Sequence, residues 1–377
     1  MEYTVDFTEL KSVFDPELAE NRIPRSGIRI AGLAFDSFFD PASFSNADDL
    51  AVNENRTFTY YVFIPEDSTT TRVILLLHGL NERSWVKYLP WAYRLAEMTG
   101  SYVVLFPISF HINRSPASWS DRRLMMQSLA GRKSYSDGIR MSSFANIALS
   151  NRLTEDPLRF LRSGYQTSCD IVSLLSGIKA GENPLIPKGS RVNIFGYSIG
   201  AFLAQILMMG NPEKLFSDSK LFMFCGGSVF SNMQGTSKLI MDSLAYETIY
   251  NFYCNEFEKK IEGSNLLSGN FWSTQLGMAF RSMLDLKRFR SFRDSVMGKL
   301  RDQVRAIALL KDTVIPAGGI MATMKSGIMG RFSPAEIWDF PFSYTHENPF
   351  PVFQNAQQYE VDRSFSRLIS EAASFLA

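Results

Sequence analysis

Residues 192–200 read Val-Asn-Ile-Phe-Gly-Tyr-Ser-Ile-Gly, an apolar strand that runs straight into a Gly-x-Ser-x-Gly turn. An apolar helical stretch, Ala201 to Met209, follows at once. The five-residue pattern alone recurs by chance, and strand, tight turn and helix in that order are the context that gives it meaning. Glycines at both flanks let the backbone turn sharply with no Cβ in the way. Such a turn lifts Ser198 out of a sheet, aims its hydroxyl at a cleft and leaves the next N–H at a helix N-terminus. The bland alternative is a buried strand-to-helix turn that happens to carry a serine. Partner groups elsewhere in the chain decide between the two.

The rest of the chain supplies the sheet that this junction needs. Thr57 to Ile64 alternates in strand fashion and stops at Pro65, while Val73 to Leu77 is a continuous apolar run, as expected of a strand covered on both faces. Helical spacing from Trp85 to Met98 closes on Gly100, and Tyr102 to Phe106 is the next strand. Residues 107–154 form an excursion dense in Ser, Arg and Asn, and Asp156 to Ile178 is helical. Lys220–Phe224, Val304–Leu310 and Ala335–Phe340 are further strands, and Asn355–Leu376 a closing helix. Strands alternating with helices predict a mainly parallel, doubly wound α/β sheet. Residues 228–303 lack strand signals and read as several helices rich in Met, Phe and Tyr, a cap inserted at one end of the sheet. Residues 1–56, broken by Pro16, Pro24 and Pro41, read as short strands and loops wrapping a core made of 57–227 and 304–377.

A serine hydroxyl is a weak nucleophile at neutral pH and needs a base, itself held by a third group. The chain has three histidines, His78, His111 and His346. His346 lies beyond the last expected strand, in a polar loop stiffened by Pro341, Pro349 and Pro351, where ligand chemistry sits in such sheets. Asp312 falls just past the Val304–Leu310 strand and can accept the Nδ1–H of a histidine base; Asp339, also at a strand end, is its rival. Position along the fold favours Asp312, because the order Ser, Asp, His is what this architecture requires. An oxyanion needs two donors. The N–H of Ile199 would be one, and the N–H of Leu80 or Asn81, after the His78-Gly79 turn, the other. His78 is then expected to shape that turn, and His111 to be structural or to touch substrate.

The His78-Gly79 pair after a strand, Gly196-Tyr-Ser-Ile-Gly200, and the positions of Asp312 and His346 together resemble the α/β-hydrolase superfamily. The resemblance covers about residues 57–227 and 304–377. It implies an α/β-hydrolase-like fold with an α-helical cap, with Ser198 as nucleophile, Asp312 as orienting acid and His346 as base. A serine at 198 argues against members that place an aspartate there, such as haloalkane dehalogenases and epoxide hydrolases.

The function expected is a metal- and cofactor-independent serine hydrolase acting on a small-molecule carboxylic ester or thioester through an acyl-enzyme. An acyltransferase with the same groups, or a binding protein on the same scaffold, are the alternatives. Tyr197 beside the serine, and Arg114 and Trp119 in the 107–154 excursion, are candidate substrate contacts. Arg122, Arg123 and Arg132 share the excursion and could likewise clamp an anion. A formal net charge of +1 gives no electrostatic support for nucleic-acid binding. Cys169, Cys225 and Cys254, odd in number and far apart, suggest neither a disulfide framework nor a zinc site. No secretory signal is visible and the apolar runs fall far short of the ~20 residues of a membrane helix, so a cytoplasmic location without a membrane segment is expected.

Overall fold

A computed structural model describes residues 2–24, 26–37, 47–66, 70–135, 138–261, 271–325, 334–352 and 357–377. One sheet is built from β1 (Glu20–Arg22), β2 (Ile28–Asp36), β3 (Thr57–Pro65), β4 (Arg72–Leu77), β5 (Tyr102–Leu105), β6 (Arg191–Tyr197), β7 (Leu221–Phe224), β8 (Val304–Leu309) and β9 (Ala335–Trp338). Their order is β1-β2-β3-β5-β4-β6-β7-β8-β9. The pairs from β5 through β4 and β6 to β9 are parallel, and β1, β2 and β3 add antiparallel pairs at one edge.

The apolar run in β4 shows why both faces are covered. Val73, Leu75 and Leu77 point into one core layer with Val104, Ile194 and Met223, whereas Ile74 and Leu76 point into the other with Val103, Phe195 and Phe222. Successive strand residues alternate faces, so a strand without polar positions demands helices on both sides. The Leu158–Ala180 and Ile199–Gly210 helices supply the first layer. The Leu89–Thr99 and Gln357–Leu376 helices supply the second. Each fully buried Leu, Ile or Phe contributes about 1.5–3 kcal/mol.

The structure departs from the sequence expectations in three places. The N-terminal segment opens with a helix, Tyr3–Val13, whose Tyr3 and Leu10 sit in the second core layer. The same segment then gives β2, which pairs with β3 along its full length, so the sheet reaches upstream of residue 57. The Leu89–Thr99 helix starts later than Trp85, with Pro90 in its first turn, where a missing N–H costs nothing. The 107–154 excursion is largely helical, with helices Arg122–Tyr135 and Ile147–Glu155. Between β7 and β8 lie helices Ser243–Asn251, Gln275–Ser282 and Arg290–Lys299. Of the segments expected as extension and cap, residues 1, 25, 38–46 and 262–270 lie outside the described residues, as do Asn355 and Ala356 of the closing helix.

Because β4, β6, β7, β8 and β9 are parallel, their C-terminal ends share one rim. His78 follows β4, Ser198 follows β6, Cys225 follows β7, Asp312 follows β8, and the loop after β9 carries His346.

Candidate active site

Ser198 sits between β6 and the Ile199–Gly210 helix with φ 56° and ψ −120°, a backbone conformation that L-residues rarely adopt. Such strain persists only where the surroundings over-determine it. Here two close approaches do so. A Cβ on residue 196 would lie 2.6 Å from the Cα of Ala201, and one on residue 200 would lie 2.4 Å from the carbonyl oxygen of Leu77. Glycine at both positions lets the helix start tight against the end of β4.

Three side chains distant in sequence meet at this turn. Ser198 Oγ is 2.7 Å from His346 Nε2, and His346 Nδ1 is 2.7 Å from Asp312 Oδ2. With its Nδ1–H facing the carboxylate, the imidazole leaves Nε2 free to accept the serine proton. The other carboxylate oxygen of Asp312 accepts the N–H groups of Val314 and Ile315, both at 2.9 Å, which fixes its orientation. All three residues are buried. Asp339, the rival acid, turns elsewhere: it accepts the Tyr344 hydroxyl at 2.8 Å and pairs with Lys311 at 3.1 Å. The Tyr197 hydroxyl donates to the backbone carbonyl of His346 and so pins the histidine loop to β6.

His78 is fully buried and spans the turn after β4. Its Nε2 accepts the N–H of Ile108 at 2.9 Å, and its Nδ1 lies 2.8 Å from the carbonyl of Gly79. Burial and the neighbouring His111 hold its pKa well below the usual histidine value. It therefore stays neutral and shapes the turn, as expected from the sequence. The turn brings Leu80 beside Ile199, and among the described residues neither N–H donates to a protein acceptor. Asn81, at φ 61°, closes the segment by donating to the carbonyls of Ala145 (2.9 Å) and Leu239 (2.7 Å).

Ser198 faces two spaces of different character. One is an open cleft of about 360 Å³ whose wall includes Arg83, Lys87, Trp119, Tyr197, His346 and Glu347. The other is an apolar pocket of about 40 Å³ lined by Leu80, Ile199, Phe230, Met233 and Met241. His111 lines a further apolar cavity next to Leu80 and Ile199, and burial pushes its pKa down to about 3.

Of the expected substrate contacts, Tyr197 and Trp119 line the cleft and Arg114 does not. Arg114 is fully buried, pairs with Asp170 at 2.9 Å and donates to the backbone carbonyls of Asn55 and Pro107. Arg132 is likewise buried and holds both carboxylate oxygens of Asp242. Arg122 and Arg123 are exposed and stand apart from the cleft wall. Of the four charged residues that do line it, Glu347 adjoins His346, and Glu82, Arg83 and Lys87 follow the His78-Gly79 turn within ten residues. Their place just past the end of a central strand is the signal that could have found them.

Cys225, Asp312 and His346 offer ligand atoms within 4.8 Å of one another. Burial and the Asp312 carboxylate push the Cys225 thiol well above its ordinary value. The Asp312 and His346 atoms are already joined by a hydrogen bond and His346 Nε2 meets Ser198, so an ion here would have to displace both contacts.

The sheet order, its parallel body and the serine turn after β6 define an α/β-hydrolase-like fold. The chain belongs to DUF6051, a family of unknown function, which matches residues 40–377. No curated protein matches the sequence. Solved structures similar to it include a cold-adapted esterase from an Arctic intertidal metagenomic library, with 12% identity, TM-score 0.42, and coverage of 97% of this chain and 100% of that one. Carboxyl esterase 2 from the fungus Tuber melanosporum is similar at 10% identity and TM-score 0.49, covering 98% of this chain and 97% of the other. A thermostable esterase from Pseudomonas putida aligns at 10% identity and TM-score 0.47, over 100% and 89% of the two chains. Among the described residues no helix is long and apolar enough to cross a membrane.

Proposed function

We propose that this protein is a serine hydrolase that cleaves a carboxylic ester or thioester through an acyl-enzyme. The observation that carries the proposal is the pair of 2.7 Å contacts linking Ser198 to His346 and His346 to Asp312, at the floor of an accessible cleft. Ser198 Oγ attacks the substrate carbonyl and its proton passes to His346 Nε2. Asp312 holds the imidazole in the productive tautomer and stabilises the imidazolium. The carbonyl oxygen becomes an oxyanion and takes the free N–H groups of Leu80 and Ile199. Collapse of the tetrahedral species breaks the bond to the leaving group, which receives the proton from His346. Water then repeats the sequence on the acyl-enzyme: it gives a proton to His346, adds to the carbonyl, and releases the acid with Ser198 regenerated.

His346 lines the cleft and is not among the residues lining the small apolar pocket. The leaving group must sit where His346 can protonate it, so it occupies the cleft beside Tyr197 and Trp119. The acyl chain then enters the pocket of about 40 Å³, and residues 228–303 act as the cap over it: the segment before the Ser243–Asn251 helix supplies Phe230, Met233 and Met241 to the wall, and that helix supplies Tyr246 and Ile249. One water needs about 10–15 Å³ of such space, so a pocket of this size takes a short acyl chain. Hydrolysis of p-nitrophenyl esters of increasing chain length tests the proposal. Acetate and butyrate are expected to outrun decanoate, and Ser198→Ala to lower kcat by about 10³-fold or more. Equal turnover by Ser198→Ala and wild type would overturn it.

A further inference from the structure

The cleft above Ser198 carries four charged side chains, and three of them are engaged. Lys87 pairs with Glu82 and reaches the backbone carbonyl of Glu347 at 3.2 Å; Glu82 also accepts the Tyr88 hydroxyl at 2.7 Å. Glu347 accepts the hydroxyl of Ser237. Arg83 is the exception: among the described residues its guanidinium makes no hydrogen bond and no ion pair. Arg152 pairs with Asp49 at 2.9 Å and lies against the rings of Phe110 and Trp119.

An arginine that is largely withdrawn from water and has no partner is costly to keep charged. Burial and the nearby Arg152 pull the Arg83 pKa down to about 10, with no carboxylate acting to raise it. It is still cationic at neutral pH, and Arg83 belongs to the wall of the cleft that also holds Ser198 and His346; its guanidinium offers a planar fork of donors.

We infer that Arg83 is the recognition residue for an anionic group, a carboxylate or phosphate, carried on the leaving-group half of the substrate. The assignment to that half rests on the hydrolase reading above, because His346 and Arg83 line the same cleft while the apolar pocket contains neither. A bidentate contact supplies the guanidinium with the partner it lacks among the described residues. With Lys87 and Glu82 paired to each other, Arg83 and Glu347 are the two cleft charges with no ion pair among the described residues, and of these only Arg83 attracts an incoming anion.

Two experiments test the inference separately from catalysis. The first is calorimetry on Ser198→Ala protein with the product-like ligands 4-hydroxybenzoate, 4-hydroxyphenyl phosphate and neutral methyl 4-hydroxybenzoate. At least one anion is expected to bind more tightly than the neutral ligand, and Ser198→Ala/Arg83→Met to lose that preference by about 10- to 100-fold. Comparison of the two anions says whether the site is built for carboxylate or for phosphate. Failure of both anions to bind better than the neutral ligand, or a preference that survives Arg83→Met, overturns the inference whether or not the protein hydrolyses esters. The second compares 4-acetoxybenzoate with its methyl ester as substrates. The ratio of their kcat/KM values is expected to fall in Arg83→Met, mainly through KM for the anionic ester, and to recover in part in Arg83→Lys. An unchanged ratio contradicts the inference, while absence of turnover on both esters by wild type contradicts only the hydrolase reading.

Discussion

Gly200 and Leu77 touch so closely that a single methyl group between them would lie 2.4 Å from the Leu77 carbonyl oxygen and 2.7 Å from that of His78. This contact sets the start of the Ile199–Gly210 helix against the turn after β4, and with it the placement of the Ile199 and Leu80 N–H groups. Both neighbours are backbone, which has no rotamer to yield. Gly200→Ala is therefore expected to destabilise the fold by about 1–3 kcal/mol. Urea denaturation gives the stability, and the rate of Ser198 acylation at low denaturant is expected to fall more than the folded fraction does.

Asp312 is held by two backbone N–H groups at one oxygen and by His346 at the other. Asp312→Asn keeps the shape and the capacity to accept from Val314 and Ile315. It removes the acceptor that selects the tautomer of His346. The expected loss in kcat is about 10³- to 10⁴-fold with near-normal stability. Steady-state kinetics beside a thermal melt distinguish this from simple unfolding.

His78 and His111 are buried and neutral, with pKa values pushed well down, that of His111 to about 3. In the unfolded chain each titrates near 6.5. Below that pH the unfolded state binds protons that the native state refuses, so stability present above pH 6.5 drains away as the pH falls. His111 alone accounts for about 2 kcal/mol between pH 6.5 and 5. Urea titrations at both pH values on wild type and His111→Asn measure it: the variant is expected to lose less stability by about that amount.

Arg114 is structural. Removing its guanidinium strands the buried Asp170 carboxylate, which among the described residues keeps only the Ser37 hydroxyl at 2.7 Å. Arg114→Met is expected to cost about 3–5 kcal/mol, and Arg114→Met/Asp170→Leu to recover most of it. The labelling rate of Ser198 in folded protein is expected to stay within twofold of wild type, since Arg114 is not part of the cleft wall.

Much of this molecule can be read from its local sequence. The β4 run and the strand-turn-helix at 192–209 carry their own packing demands, because full burial and tight turns restrict residue type position by position. Ser198, Asp312 and His346 each follow a strand end, and parallel strands put such ends on one rim. What resists reading is set by distant partners. Arg114 looks like a free cation until Asp170, 56 residues on, comes to lie beside it. Arg132 meets Asp242 across 110 residues. Arg83 shows the converse, a charge in an unremarkable loop that finds no ion-pair or hydrogen-bond partner among the described residues. The strand β2 escaped because an antiparallel strand with half-exposed positions carries a weaker apolar signal than a central one buried on both faces.

The central claim is that His346 makes the Ser198 hydroxyl a nucleophile. Covalent labelling with a fluorophosphonate, mapped to the residue by mass spectrometry in wild type and His346→Ala, tests it most directly. The account predicts a single adduct on Ser198 that forms rapidly in wild type and at least about 10³-fold more slowly in the variant. An unlabelled Ser198 in folded wild type, or equal labelling rates in both proteins, would contradict it.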